Sequence, residues 1–153
     1  MKANSTPDPA SLRQRALGYL ARREHSRFDL ARKLERAGFE PEAIVPVLDE
    51  FEHQGWLSDQ RYAETYVADH RAKDGNIKLA HALRTHGVSD EIIESALLER
   101  GENEMDRAKA IWRKKFTHPP SSLAETAKQT RFLQGRGFSG QLIRTLLRQD
   151  SSD

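Results

Sequence analysis

The sequence contains no cysteine, which excludes disulfide bonds and thiolate zinc sites and is compatible with a reducing compartment. It has no apolar run approaching about 18 residues, so no segment is predicted to span a membrane. Residues 1–10 lack the apolar segment of a secretory signal and are predicted to form a disordered tail. We therefore expect a cytoplasmic protein without membrane contact.

Signals for catalysis and metal binding are also missing. The chain has no G-x-S-x-G motif, no glycine-rich phosphate loop and no HExxH motif. Its six histidines show no ligand spacing, and His81 and His86 are five residues apart, on different faces of a helix. The acidic residues fall at helix starts and on surface positions. We expect no catalytic residue, no metal site and no cofactor, so the protein is not expected to be an enzyme.

One short pattern occurs three times, at residues 34–39, 83–88 and 133–138. In each copy a leucine begins the stretch, and a glycine follows it and precedes an apolar residue. The three glycines, Gly38, Gly87 and Gly137, are 49 and 50 residues apart. A fixed period of this length is typical of repeat proteins. Glycine fits the residue after a helix end, where the backbone is left-handed and a side chain is penalised.

Apolar residues at helical spacing predict three helices in each repeat and no strand. Serines that cap helices are predicted at Ser11, Ser26, Ser58, Ser122 and Ser139, and a further helix begins near Asn103. The predicted fold is all-α, with three tandem helix-turn-helix-like repeats at residues 11–57, 58–101 and 102–150. Because each repeat contacts only its neighbours, we expect an elongated, curved array.

Charge is segregated along the chain, although the net charge is only +2. Residues 12–36 contain eight Lys or Arg against three acids, whereas residues 37–59 contain six acids and no Lys or Arg. Residues 89–106 contain seven acids against Arg100, and residues 107–136 contain eight bases against Glu125. The first two helices of a repeat are therefore basic and the third is acidic. This pattern favours a surface that binds phosphates or an acidic partner, although charged helix faces are often merely solvated.

Two groups of residues are candidates for such a surface. Arg32, His81 and Arg131 occupy equivalent positions in the three repeats, two residues before the repeated leucine. A basic run at residues 113–115 follows Trp112, which is at core spacing and is predicted to be buried. Trp56 is predicted to fill the junction between repeats.

Three blocks of the sequence resemble the RecX family, regulators of the RecA recombinase. They are residues 16–34 (ALGYLARREHSRFDLARKL), 59–67 (DQRYAETYV) and 128–139 (KQTRFLQGRGFS). The last is the most specific, since it is similar to the family's Lys-Gln-x-Arg-Phe-Leu-x-x-Arg-Gly-Phe-Ser stretch. One region departs from the family, which usually has a Lys-Gly-Tyr-Gly-Pro turn and an Arg-Ile-Arg segment after the second block. Here residues 72–80 replace them, so contacts in this region are expected at Arg71, Lys73 and Lys78.

The resemblance implies a regulator that binds the groove of the RecA–single-stranded DNA filament and most often inhibits its ATPase, strand-exchange and co-protease activities. It also implies a role in homologous recombination, DNA repair and the SOS response. Expected partners are the RecA filament and single-stranded DNA, with double-stranded DNA as a further candidate, through backbone contacts, and we expect a monomer. The predicted contact residues are all basic: Arg22, Arg23, Arg32, Lys33, Arg61, Arg71, Lys73, Lys78, Arg113, Lys114, Lys115, Lys128, Arg131 and Arg136.

Two alternatives stay open from the sequence. A three-helix unit with a tight turn before its third helix is similar to a DNA-binding helix-turn-helix, whose last helix reads bases. The acidic third helices argue against that interpretation. The other alternative is a helical scaffold that binds only protein.

Overall fold

The computed structural model describes residues 8–98 and 103–151, and within these ranges the chain forms nine α-helices and no strand. In chain order they are α1 (Pro9–Arg22), α2 (Arg27–Arg36), α3 (Pro41–His53), α4 (Asp59–His70), α5 (Asn76–Thr85), α6 (Asp90–Leu97), α7 (Glu104–Lys115), α8 (Leu123–Gly135) and α9 (Gly140–Ser151). The prediction of an all-helical protein made of three-helix repeats is confirmed.

Most of the predicted capping residues do cap the first turn of a helix. The Ser26 hydroxyl accepts a hydrogen bond from the backbone N–H of Asp29 at 3.1 Å, and the other predicted serines except Ser11 make equivalent bonds. The predicted cap at Ser11 is wrong. Helix α1 begins at Pro9, and the Asp8 carboxylate accepts from the N–H of Ala10 at 3.3 Å. Proline suits the first helical turn because it has no N–H to satisfy. Residues 1–7 of the predicted disordered tail lie outside the described residues. Residues 9 and 10, which were predicted to belong to the same tail, are helical.

The three repeated turns share one backbone geometry. Gly38, Gly87 and Gly137 have φ values of 100°, 78° and 97°. In each copy the N–H of the following apolar residue donates to the carbonyl of the repeated leucine, at 3.0 to 3.2 Å. This bond closes a helix end of the Schellman type. The predicted role of the glycines as left-handed helix caps is confirmed.

Each terminal repeat encloses an apolar core of its own. In the first repeat, α1, α2 and α3 pack around buried residues that include Leu30, Leu34 and Phe51. In the third, α7, α8 and α9 pack around Trp112, Leu133 and residues of α9. The prediction that Trp112 is a core residue is confirmed. Its indole N–H donates to Gln129 Oε1 at 2.7 Å, so the polar atom of the ring is satisfied inside the core.

The chain divides into two compact units, and the division runs through the middle repeat. The N-terminal unit contains the described residues up to Thr65 together with Leu83–Ile93. The C-terminal unit contains Tyr66–Ala82 and the described residues from Glu94 onward. Each of the helices α4, α5 and α6 therefore contributes residues to both units.

Within each unit, the glycine of a repeated turn also lies against the first turn of an earlier helix. In the N-terminal unit, a Cβ at Gly87 would lie 2.6 Å from Cγ of Phe28 in α2. In the C-terminal unit, a Cβ at Gly137 would lie 2.8 Å from the backbone nitrogen of Lys78 in α5. The Gly137 carbonyl accepts from the N–H of Ile77 at 3.0 Å. The repeated glycine thus permits two features at once, a left-handed backbone and close contact between consecutive repeats.

Candidate functional site

The predicted basic residues fall into two sets, one in each unit. Arg22, Arg23, Arg32, Lys33 and Arg61 belong to the N-terminal unit, and the other nine belong to the C-terminal unit. The two sets differ in what surrounds the cations.

Four cations of the C-terminal unit line one groove of about 280 Å³, which we call the basic groove. Its apolar lining, which we call the floor, consists of Ala72, Ile111 and Phe132, and no carboxylate lines the groove. The four cations come from three separate stretches of the chain: Lys73 follows α4, Lys114 and Lys115 end α7, and Arg136 follows α8. Their convergence creates a concentrated positive charge beside an apolar surface.

The ring of Phe132 holds two of these cations in place. The ammonium nitrogen of Lys115 lies 5.8 Å from the ring centroid, and Cζ of Arg136 lies 5.5 Å from it. Such separations allow a cation–π attraction. The edge of the ring is fixed by Phe116, whose ring lies 5.4 Å away at an interplanar angle of 85°. Two of the four cations of the groove therefore contact an aromatic ring, and no carboxylate lines the groove.

A second groove, of about 240 Å³, shares Ala72, Ile111 and Lys114 with the basic groove and adds Arg71 and Arg107. Arg107 is buried, with 5% of its surface exposed. Its guanidinium donates to the carbonyl oxygens of Arg71 and Asp74 at 3.3 Å and to Asn76 Oδ1 at 2.8 Å. These bonds satisfy backbone carbonyls of the connection between α4 and α5.

Two further hydrogen bonds fix the same connection. The N–H of Asn76 donates to Glu104 Oε2 at 2.7 Å, and the N–H of Gly75 donates to the Arg136 carbonyl at 2.6 Å. Residues 71–76 are thus held by α7 on one side and by the turn after α8 on the other. This connection carries Lys73, so the same bonds set the position of one wall of the basic groove.

The sequence did not single out Arg107 or Phe132. Arg107 directly precedes the buried core residue Ala108 in the sequence. A charged residue next to a core position was the signal that could have identified it. Phe132 was visible as an aromatic inside the most basic block of the chain. Neither signal names the distant partners, because Arg71 lies 36 positions from Arg107 and Lys115 lies 17 positions from Phe132.

The remaining predicted cations of the C-terminal unit lie outside the basic groove. Arg113, Lys128 and Arg131 are exposed, and Lys128 lines a separate hollow beside the loop before α8. Lys78 forms an ion pair with Asp74, with 3.5 Å between Nζ and Oδ1. Of the basic run at residues 113–115, only Lys114 and Lys115 therefore line the basic groove.

In the N-terminal unit, Lys33 is packed against a buried histidine. Its ammonium lies 2.8 Å from Nε2 of His25 and 5.1 Å from the centroid of the Tyr19 ring. His25 Nδ1 lies 3.0 Å from the Arg23 carbonyl, so a neutral ring that donates from Nδ1 and accepts at Nε2 satisfies both contacts. Burial, chiefly, and the nearby charge of Arg23 lower the pKa of Lys33, and burial lowers the pKa of His25.

Acidic residues engage other arginines of this unit. Arg61 contacts the Glu24 carboxylate and donates to the carbonyl oxygens of Gly55 and Trp56 at 3.0 and 3.1 Å. Its guanidinium ties the start of α4 to the end of the first repeat. Arg32 instead lies with Cζ 5.5 Å from the centroid of the exposed Phe28 ring.

The acids of α3 engage two arginines that the sequence did not single out. Arg13 in α1 pairs with Glu50 at 2.9 Å, and the hydrogen bond holds the pKa of that carboxyl below its usual range. Arg27 in α2 pairs with Asp49 at 2.8 Å and also contacts Glu52. Two of the eight basic residues at positions 12–36, Arg13 and Arg27, are therefore paired with acids of the same repeat.

The prediction that Trp56 fills the junction between repeats is wrong, because 41% of its surface is exposed. Its ring lies 5.5 Å from that of Phe51, and Cζ of Arg13 lies 5.7 Å from its centroid.

Across residues 8–98 and 103–151, no three His, Asp or Glu side chains are grouped as a metal site. None of the helices in these ranges has the length and apolar character needed to cross a bilayer.

The fold and its charged surfaces define a class of protein: tandem three-helix domains whose basic residues are gathered from several helices. Models of the first, second and third three-helix domains of RecX match residues 13–51, 58–97 and 102–147. The chain belongs to the RecX family. The bounds predicted for the three repeats stay predictions, because matches to domain models do not fix where a domain ends.

Individual relatives agree with this assignment. The protein named regulatory protein RecX from Ralstonia nicotianae is 40% identical over 139 residues, 91% of this chain and 87% of the relative. Its counterpart from Neisseria meningitidis serogroup B is 40% identical over 143 residues, 94% of this chain and 93% of the relative. The crystal structure of RecX from Lactobacillus salivarius is similar in fold, with a TM-score of 0.83 at 22% identity over 95% of this chain and 97% of that one. The chain thus shares its family with proteins named as regulators.

Proposed function

We propose that this protein is a non-enzymatic cytoplasmic regulator that binds the RecA–single-stranded DNA filament and inhibits the recombinase. The observation that carries the proposal is the basic groove, where Lys73, Lys114, Lys115 and Arg136 converge with no carboxylate among the lining residues. Membership of a family whose relatives are named regulatory proteins supports the regulatory role.

The chemistry of the groove suits the backbone of a nucleic acid. Lysine and arginine side chains that contact phosphates release condensed counterions, which makes binding strong at low salt and weak at high salt. A filament presents the same phosphate pattern many times, so several weak contacts along one chain reinforce each other. In the proposed mechanism the bound regulator hinders extension of the filament and the motions that accompany ATP hydrolysis.

The test is the DNA-dependent ATPase of RecA with increasing amounts of this protein. We expect inhibition at stoichiometric amounts in low salt and its loss as salt is raised. The double variant Lys114→Ala/Lys115→Ala should inhibit less, and its binding should show a salt slope smaller by about 2. Arg113→Ala is the matched control, since Arg113 lies on the same helix and is exposed but does not line the groove. No effect of the unaltered protein at stoichiometric amounts would contradict the proposal.

A protein-only scaffold is the second candidate, because large apolar side chains are exposed. Ile77 is 57% exposed, Leu98 77% and Leu123 90%. Where exposed apolar side chains lie together in a patch, they suit contact with another protein surface. Inhibition of RecA that is independent of salt, and is unchanged by Lys114→Ala/Lys115→Ala, would favour this candidate over DNA contact.

Sequence-specific binding through a recognition helix is disfavoured in the first two repeats by the exposed acids of α3 and α6. Glu42, Asp49 and Glu52 of α3 are exposed, as are Asp90, Glu91 and Glu94 of α6. An acidic helix is repelled by the phosphates that border the major groove.

A further inference from the structure

The basic groove has an apolar floor that contact with a phosphate backbone alone does not require. Ala72, Ile111 and Phe132 make up this floor, and the four cations line the same groove. A sugar–phosphate chain is polar throughout and gains little from an apolar surface. A ligand that matches both parts carries anionic groups beside a flat, weakly polar face.

An unpaired nucleotide has this combination. In a duplex the flat faces of the bases are covered by their neighbours, and a protein meets phosphates, sugars and the edges of the bases. In a single strand the bases can turn out and stack on aromatic rings or on the planes of arginine side chains. The charge around the groove fits the phosphates, and its floor fits the base.

Phe132 and Arg136 together supply the stacking surface. The Arg136 guanidinium lies over the ring, with Cζ 5.5 Å from the centroid, and both residues line the groove. The T-shaped contact with Phe116 fixes the ring orientation, and the turn after α8 fixes the backbone of Arg136. A surface that is already ordered loses little freedom when a base binds.

We infer that the basic groove is a subsite for one unpaired nucleotide, whose base stacks against Phe132 and Arg136 while its phosphates contact Lys73, Lys114 and Lys115. The inference rests on the proposed function and deepens it, because it names the form of nucleic acid that the groove selects. It assigns a role to Phe132, Ile111 and Ala72 that backbone contacts leave unexplained.

The test compares three labelled ligands of equal length, about 15 nucleotides, a site size that single-strand-binding folds cover. They are an oligothymidylate, an abasic strand with the same sugar–phosphate chain, and a duplex. The unaltered protein should bind the oligothymidylate about tenfold more tightly than the abasic strand, as expected for one stacked base. Phe132→Leu should remove this preference, and it should weaken binding of the oligothymidylate more than binding of the abasic strand or the duplex.

Two further variants keep the test decisive. Arg136→Lys retains the charge but removes the planar group, so it should reduce the preference for bases while the salt slope stays the same. Phe28→Leu removes an exposed phenylalanine of the N-terminal unit that also has an arginine over its ring, and it should leave the preference for bases unchanged. Thermal unfolding of each variant separates loss of binding from loss of structure, and Arg136→Lys provides the answer if Phe132→Leu does not fold.

Equal affinity of the unaltered protein for the oligothymidylate and the abasic strand would overturn the inference. So would an acidic peptide of matched charge that binds as tightly as the oligothymidylate, because the groove would then select charge alone. These outcomes are separate from failure of the proposed function. A protein that inhibits RecA but ignores bases refutes only the subsite, and one that prefers bases but leaves RecA unaffected refutes only the regulatory proposal.

Discussion

The two units contain similar basic sequence stretches but use them differently. In the N-terminal unit, Arg13, Arg27 and Arg61 contact acids, and Lys33 contacts the buried His25. In the C-terminal unit, Lys115 and Arg136 of the basic groove contact an aromatic ring, and no acid lines the groove. The comparison teaches that a count of basic residues does not measure the charge that a surface offers to a ligand. What matters is whether the neighbouring side chains compensate that charge.

The largest expected effect comes from the turn that supports the groove. Gly137→Ala should lower the free energy of unfolding by about 3 kcal/mol, since a left-handed alanine costs about 1–2 kcal/mol and overpacking against Lys78 adds to it. Gly55→Ala is the control in the N-terminal unit. Gly55 has a φ of 79° but no atom near its missing side chain, so only the backbone cost of about 1–2 kcal/mol applies. Equal losses in urea unfolding would show that close packing does not distinguish the two turns.

A smaller loss is expected when the clamp on the α4–α5 connection is removed. Arg107→Met should destabilise the protein by about 2 kcal/mol, because the carbonyls of Arg71 and Asp74 lose a buried donor. It should also weaken oligonucleotide binding, since Lys73 is no longer held beside the groove. Arg113→Met, an exposed position on the same helix, should change stability by less than about 0.5 kcal/mol. Urea unfolding and fluorescence anisotropy measure the two effects, and unchanged binding by Arg107→Met would refute the positioning role.

Removing two positive charges from each unit in turn tests whether the two units contribute differently to oligonucleotide binding. Lys114→Ala/Lys115→Ala should reduce the salt slope of oligonucleotide binding by about 2. Arg13→Ala/Arg27→Ala removes the same formal charge, but these arginines are paired with acids of α3, so the slope should stay the same. Binding titrations at several salt concentrations provide both slopes. An equal decrease in the two variants would mean that net charge alone controls binding.

The smallest effect concerns pH. The pKa of His25 is lowered by burial, so the unfolded chain takes up a proton more readily than the folded one. The contribution of His25 to the free energy of unfolding is fully present above the unfolded pKa of about 6.5. It is lost as the pH falls below that value toward the lower pKa of the folded state. The melting temperature of the unaltered protein should therefore fall more between pH 7.5 and 5.5 than that of His25→Gln. Parallel curves for the two proteins would argue against a buried neutral histidine.

Local sequence was enough to predict most of the helical framework. The repeated glycines, the serine caps and the helical spacing of apolar residues act over a few positions, so Ser26, Gly38 and their counterparts could be assigned from the chain alone. Ser11 was assigned wrongly because two capping residues compete within four positions, and Asp8 precedes a proline that favours the start of a helix.

The candidate site could be predicted only in part, because its geometry depends on distant residues. The basic character of Lys114, Lys115 and Arg136 was visible, but their meeting with Lys73 depends on the Arg107 clamp more than 30 positions away. The pairing of Arg61 with Glu24 spans 37 positions and likewise has no local signal. Charge can be read along a sequence, whereas charge compensation depends on the folded contacts.

The most direct test of the account is to map the nucleic-acid contacts by amide chemical shifts during titration with a short oligothymidylate. We expect the largest changes at Lys73, Lys114, Lys115, Phe132 and Arg136. Arg13, Arg27 and Arg61 should change little, because their charges are compensated within the N-terminal unit. Changes concentrated at those three arginines, with an unaffected basic groove, would contradict the central claim.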